Sequence, residues 1–254
     1  MTELQQQNQQ LAQKLDHTKL TFSPGEGETQ AIRRLCAEAD AFGFFAVCVR
    51  PEHIELAKRS LSKPEIRVAA VIGFPLQKVQ LADELSQPTI GQASTAEKVD
   101  ETRQALHAGA DELDLVMNVG QFKQDLQSGS QKVLAEFQII REAAGNTPIK
   151  TIIEIDLLSP EEILAATNLC VQSGMNMVKT STGMIEQGQG ARLEVIRQIA
   201  DRLDQLNSPI GIKASGGIKT RSQALSFLAA GVHRIGTSSG PAFFQEQTVV
   251  ADSY

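Results

Sequence analysis

The sequence predicts an α/β fold: a single (β/α)8 TIM barrel with an N-terminal helix, covering residues 1–254 as one domain. Three observations lead there. Short apolar runs alternate with amphipathic stretches along the whole chain. Eight such runs within 254 residues match the strand count of one barrel. Helical patterns also end at glycine just before the next apolar run, as at Gly109, Gly174 and Gly231, where a left-handed stop suits the chain. A doubly wound open sheet is the rival architecture. No Gly-x-Gly-x-x-Gly follows any strand, so its usual dinucleotide signal is missing.

The elements follow in order. The first ten residues are polar and Gln-rich, without the basic start and apolar core of a signal peptide. They are expected to form a frayed or solvated first helix. Strands are expected at Leu15–Thr18, Ala46–Val49, Val68–Ile72, Glu112–Met117, Lys150–Ile155, Met177–Thr180, Gly211–Ala214 and Arg234–Gly236. Helical patterns fill the gaps, among them Thr95–His107, Lys132–Ala144, Pro160–Ser173, Arg192–Leu206 and Arg221–Ala230. Ser94 and Ser159 stand at helix starts, the latter before a first-turn proline, Pro160. Residues 77–94, with Pro88 and Gly91, are expected to form an inserted loop after the third strand. Such a loop lies on the catalytic face of a barrel, where it caps a site or joins an interface.

Composition narrows the function. Hydrophobic residues make up 41% and charged residues 21%, enough for a sizeable core. A net charge of −6 argues against a nucleic-acid partner or an anionic membrane surface. No apolar run is long enough to span a bilayer. A small anionic substrate remains open, because a few amides and cations suffice to hold it. Cys36, Cys48 and Cys170 are scattered and odd in number, which fits reduced thiols in a cytoplasmic protein. His17, His53, His107 and His233 show no ligand spacing, so neither metal nor cofactor is expected. His17, at the end of the first strand, is placed to line a pocket.

The chemistry lies in ionisable residues on strands. Lys179 ends the run Met175-Asn-Met-Val-Lys179, and Lys213 holds a matching place in Ile210-Gly-Ile-Lys213. Buried strands rarely carry lysine, because desolvating an ammonium is costly. Two such lysines on nearby strands suggest that one lowers the pKa of the other, freeing an amine to attack a carbonyl. Alternation in the fourth strand places Asp114 toward the barrel axis if its leucines face the helices. Each lysine falls near the carboxyl end of its strand, where barrel enzymes build their sites. Ser215-Gly-Gly-Ile218 and Gly236-Thr-Ser-Ser-Gly240 follow the last two strands, the common barrel phosphate position. Gly183 is placed to complete that cradle.

Together these residues resemble the deoxyribose-phosphate aldolase family of class I, Schiff-base-forming aldolases. The match covers nearly the whole chain. Its clearest pieces are Leu15-Asp-His-Thr18, Val71-Ile-Gly-Phe-Pro75, Gly109-Ala-Asp-Glu-Leu-Asp114, Val178-Lys-Thr-Ser-Thr-Gly183 and Ile212-Lys-Ala-Ser-Gly-Gly217. The resemblance implies reversible cleavage of 2-deoxy-D-ribose 5-phosphate to acetaldehyde and D-glyceraldehyde 3-phosphate. It implies Lys179 as the imine-forming lysine, Lys213 as its activating partner and Asp114 as the proton-transfer acid. It assigns the phosphate to Gly183, Gly216, Gly217, Gly236, Ser238 and Ser239. Tyr254 would close over the site on a mobile tail, residues 250–254, and help move a proton. The implied partners are phosphosugar and aldehyde substrates, with a homodimer as the assembly. The chain departs from the family pattern after Glu154, at residues 77–94 and at Met184–Ala191. Two other readings stay open at this level: a ketose-donor Schiff-base aldolase, and a non-catalytic barrel that binds a phosphosugar.

Overall fold

Eight parallel strands close into a barrel in a computed structural model that describes residues 2–124 and 126–245. They are β1 (Leu15–Thr18), β2 (Ala46–Val49), β3 (Arg67–Ile72), β4 (Glu112–Val116), β5 (Ile149–Ile152), β6 (Met177–Lys179), β7 (Gly211–Ser215) and β8 (Arg234–Thr237). Each pairs with its sequence neighbour, and β8 returns to β1. The right-handed strand–helix–strand step makes that order the natural one.

Helices cover the outside through one apolar stripe each. Leu193–Gln205 buries Val195, Ile196, Ile199 and Leu203, the spacing of one helical face. Glu28–Phe42 buries Ile32, Leu35, Cys36 and Ala39 in the same way. Ser94 and Ser159 each close a capping box at a helix start. The first helix, Glu3–Ala12, is capped by Thr2 and turns Leu11 and Ala12 inward, leaving most of its glutamines exposed.

Register sets the interior. Asp114 on β4 stands beside Lys150 on β5. Lys179 on β6 stands beside Lys213 on β7, and Lys213 beside Arg234 on β8. By contrast, β2 and the run Val68–Ile72 of β3 are wholly apolar and buried.

Two expectations need correction. The fifth strand stops at Ile152, short of Ile155. Glu154 adopts a left-handed backbone with φ 57°, and Ile155–Leu157 forms a 3-10 turn. Residues 77–94 do follow β3, but they are more built than a loop. Val79–Gln80 pairs in parallel with Ile185–Glu186, and Leu81–Ser86 is a short helix. The buried Glu84 carboxylate accepts from the amides of Thr89 (2.7 Å) and Ile90 (3.0 Å). Gly91, at φ 73°, lies so close to the Met117 carbonyl that a Cβ there would come within 2.0 Å of it. The segment therefore refolds onto the barrel instead of waving above it.

Candidate active site

Asp114 is the hub of the barrel interior. Its Oδ2 accepts from Lys179 Nζ and from Lys213 Nζ, each at 2.7 Å. Its Oδ1 accepts from Lys150 Nζ at 2.9 Å. Lys213 also lies 2.5 Å from Asp16 Oδ2, and Lys150 lies 2.6 Å from Glu112 Oε2. Arg234 pairs with Asp16. Strand alternation produces this convergence, because each residue is an inward position of its own strand.

Charge accounting within this network is instructive. Asp16, Glu112 and Asp114 face Lys150, Lys179, Lys213 and Arg234, all buried. One cation is therefore in excess. Arg67 reaches Glu112 as well, but from a half-exposed rim position where water screens it. Burial alone would raise the Asp114 carboxyl, yet the three lysines outweigh it and hold Asp114 well below the usual carboxylate range. Asp16 is held low in the same way, against burial, by Lys213, Arg234 and Lys150. Burial likewise opposes charge on Lys213, but Asp114 and Asp16 push it above the ordinary lysine range, so it stays cationic. Of the four cations, only Lys179 also lines the open cavity above the network. It is 3% exposed.

Cys48 sits beneath the same carboxylate, its Sγ 3.8 Å from Asp114 Oδ2. Burial, reinforced by Asp114, pushes its thiol up to about 11, so it remains protonated.

The cavity above encloses about 330 Å³. Gly183, Gly216, Gly217, Gly236, Ser238 and Ser239 all line it with Lys179. Gly236 is tightly packed against its neighbours. A Cβ there would lie 3.1 Å from Ser215 Cβ and 3.2 Å from Lys213 Cε. The Ser239 amide already donates to Thr237 Oγ1 at 2.9 Å, which leaves its hydroxyl as its contribution to a ligand. Thr18, Lys19, Lys78 and Lys219 complete much of the wall.

Sequence reasoning did not single out Lys150, Asp16, Arg234, Glu154 or Glu112. The first three carry the signal that marked Lys179: an ionisable residue inside a buried strand. Glu154 was expected within the fifth strand, but the strand stops at Ile152 and leaves it in the turn beyond. Its carboxylate is 1% exposed and accepts from the Thr182 amide at 3.1 Å and from the Thr182 hydroxyl. Thr182 in turn accepts from the Met184 amide at 3.1 Å. Glu154 thus braces the turn that follows Lys179. Burial, opposed by the Thr182 hydrogen bonds, raises its carboxyl to about 7.

His17 does not line this cavity. Its Nε2 pairs with Glu38 at 2.7 Å and its ring packs edge-on against Phe44. The side chain points to the helix side of β1, one residue out of phase with the inward Asp16. Tyr254 and residues 250–254 lie outside the described residues.

A closed (β/α)8 barrel with a lysine at the floor of its cavity defines an enzyme of the aldolase class. The model of the DeoC/LacD family of aldolases matches residues 10–246, and the chain belongs to that family. It is 38% identical over 244 residues to deoxyribose-phosphate aldolase 1 of Bacillus licheniformis, covering 96% of this chain and 98% of the relative. It is 38% identical over 215 residues to the deoxyribose-phosphate aldolase of Mycoplasma pneumoniae, covering 85% and 86% respectively. Among solved structures, the tetrameric deoxyribose phosphate aldolase of Aeropyrum pernix superposes with a TM-score of 0.74 at 25% identity, covering 96% of this chain and 93% of that one.

Proposed function

We propose that this aldolase cleaves 2-deoxy-D-ribose 5-phosphate reversibly to acetaldehyde and D-glyceraldehyde 3-phosphate through an imine on Lys179. One observation carries the reading: of the four buried cations that meet the network, Lys179 is the one that both reaches Asp114 and lines the cavity.

The free amine attacks C1 of the open-chain aldehyde. Asp114, hydrogen-bonded to Lys179 Nζ, is placed to pass protons as the carbinolamine loses water. The resulting iminium draws electrons from the C2–C3 bond. A base takes the C3 hydroxyl proton, the bond breaks, and glyceraldehyde 3-phosphate leaves. The enamine on C2 is protonated and water releases acetaldehyde. Lys213, fixed as a cation beside Lys179, favours the neutral form of the attacking amine. We assign the phosphate to Gly183, Gly216, Gly217, Gly236, Ser238 and Ser239. Holding that distant end orients the reacting carbons. We assign protonation at C2 to Tyr254.

Borohydride reduction in the presence of acetaldehyde, followed by peptide mass mapping, tests the reading. The expected adduct is on the peptide bearing Lys179. An adduct elsewhere, or none, overturns it. We further place the chain in the cytoplasm as a homodimer. Buried, unpaired cysteines fit a reducing compartment, and among the described residues no helix is long and apolar enough to cross a membrane. Sedimentation equilibrium decides the assembly.

A further inference from the structure

We propose that Lys78, carried by the segment after β3, is a specificity-determining cation that contacts the phosphate of the substrate. This deepens the reading above and rests on it. Lys78 lines the same cavity as Lys179 and the glycine cradle.

Its place there is held by backbone structure. The Val79 amide donates to the Met184 carbonyl at 3.0 Å, and Val79 and Gln80 pair with Ile185 and Glu186. Met184 directly follows the cradle residue Gly183. A lysine one residue before that pairing is therefore tied to the turn that cradles the anion, and the two move together. The helix Leu81–Ser86 and the Glu84 carboxylate fix the rest of the segment.

The charges around the cavity point the same way. No aspartate or glutamate lines it. Lys19 is already engaged by Glu26 at 2.8 Å, whereas Lys219 lines the cavity from the loop after β7 and, like Lys78, forms no ion pair among the described residues. Lys78 is exposed and forms no ion pair among the described residues. The cradle supplies backbone amides and hydroxyls, which carry only partial charge, and the Ser239 amide is committed to Thr237. A phosphate with up to two negative charges is better matched when a full ammonium joins those donors. Lys78 also borders a second cavity that holds Glu28 and Glu52.

The experiment compares Lys78→Ala, Lys78→Glu and Lys78→Arg with the parent enzyme. Steady-state rates are measured on 2-deoxyribose 5-phosphate and on 2-deoxyribose. An exposed ammonium–phosphate contact is screened by water, so Lys78→Ala is expected to raise KM for the phosphorylated sugar about three- to tenfold. Lys78→Glu raises it further, and Lys78→Arg restores it. The preference for the phosphorylated over the unphosphorylated sugar falls in step. Equal loss on both sugars, or an unchanged KM for the phosphorylated one, overturns the assignment. Acetaldehyde trapping on the parent enzyme is run alongside. If the parent traps acetaldehyde on Lys179 while Lys78→Ala keeps its KM, this inference fails alone and the aldolase reading stands.

Discussion

The floor of the barrel and its mouth hold charge by opposite means. At the floor, side chains from β1, β4, β5, β6, β7 and β8 pair full charges with one another, buried from bulk solvent. At the mouth, glycines and serines in loops present backbone amides and hydroxyls to an open cavity. The floor is buried and its charges nearly cancel, so adding or removing a single proton there is consequential. The mouth is polar and solvated, so no single donor dominates. On the proposed reading, covalent chemistry falls where full charges are paired and shielded from solvent, and anion capture where water tempers every contact.

Four experiments press on that contrast. Lys179→Ala removes the nucleophile from the floor. It is expected to abolish acetaldehyde-dependent trapping and to lower kcat/KM by about ten-thousandfold or more. Residual trapping at the parent rate would move the chemistry to another residue. Lys150→Met strips a cation from Asp114 and Glu112 while keeping the bulk of the side chain. Losing the charge-assisted hydrogen bonds to both carboxylates should destabilise the fold by about 3 kcal/mol in urea titrations. A loss under about 1 kcal/mol would mean that water reaches the floor, and the contrast with the mouth would weaken.

Glu154 lies between the two regions and carries a pH signature. Its folded carboxyl, raised to about 7, binds a proton that the unfolded chain has already released. Stability therefore falls as pH rises from the unfolded value through 7, because the buried group must ionise. Glu154→Gln keeps an acceptor for the Thr182 amide and removes the charge. Its stability relative to the parent should improve between pH 5 and pH 8 by on the order of 2 kcal/mol, read from denaturation midpoints at each pH. A difference that stays flat with pH would show that Glu154 ionises normally. The smallest effect is expected at the mouth. Ser238→Ala should raise KM for the phosphorylated sugar about threefold and leave kcat nearly unchanged, since one solvated hydroxyl donor among several is lost. A collapse of kcat instead would draw Ser238 into the floor's chemistry.

The site was legible in uneven parts. Lys179, Lys213 and Asp114 stand out in the sequence because an ionisable side chain in an apolar strand is anomalous, and strand alternation says which way it points. The glycine and serine loops after β7 and β8 were legible for the same positional reason. The same anomaly was present at Lys150, Asp16 and Arg234, but a single strand does not reveal its neighbour's register, and pairing is what makes those residues a network. His17 shows the limit from the other side: one position out of phase, it faces Glu38 and Phe44 instead of the cavity. The strand-and-helix form of residues 77–94 was hidden because two strand residues, Val79 and Gln80, carry no pattern by themselves. Only their partners at Ile185 and Glu186 make them a strand.

The amino-acid order by itself determined the eight-fold alternation, the inward parity of the key lysines and aspartate, and the glycine breaks that end the helices. These follow from local rules of backbone geometry and burial. Tertiary structure alone decided which charges meet, that one cation is in excess, and which segment reaches the cavity. Those facts depend on strand register and chain closure, where residues as far apart as Asp16 and Arg234 become neighbours, and no local rule spans that distance.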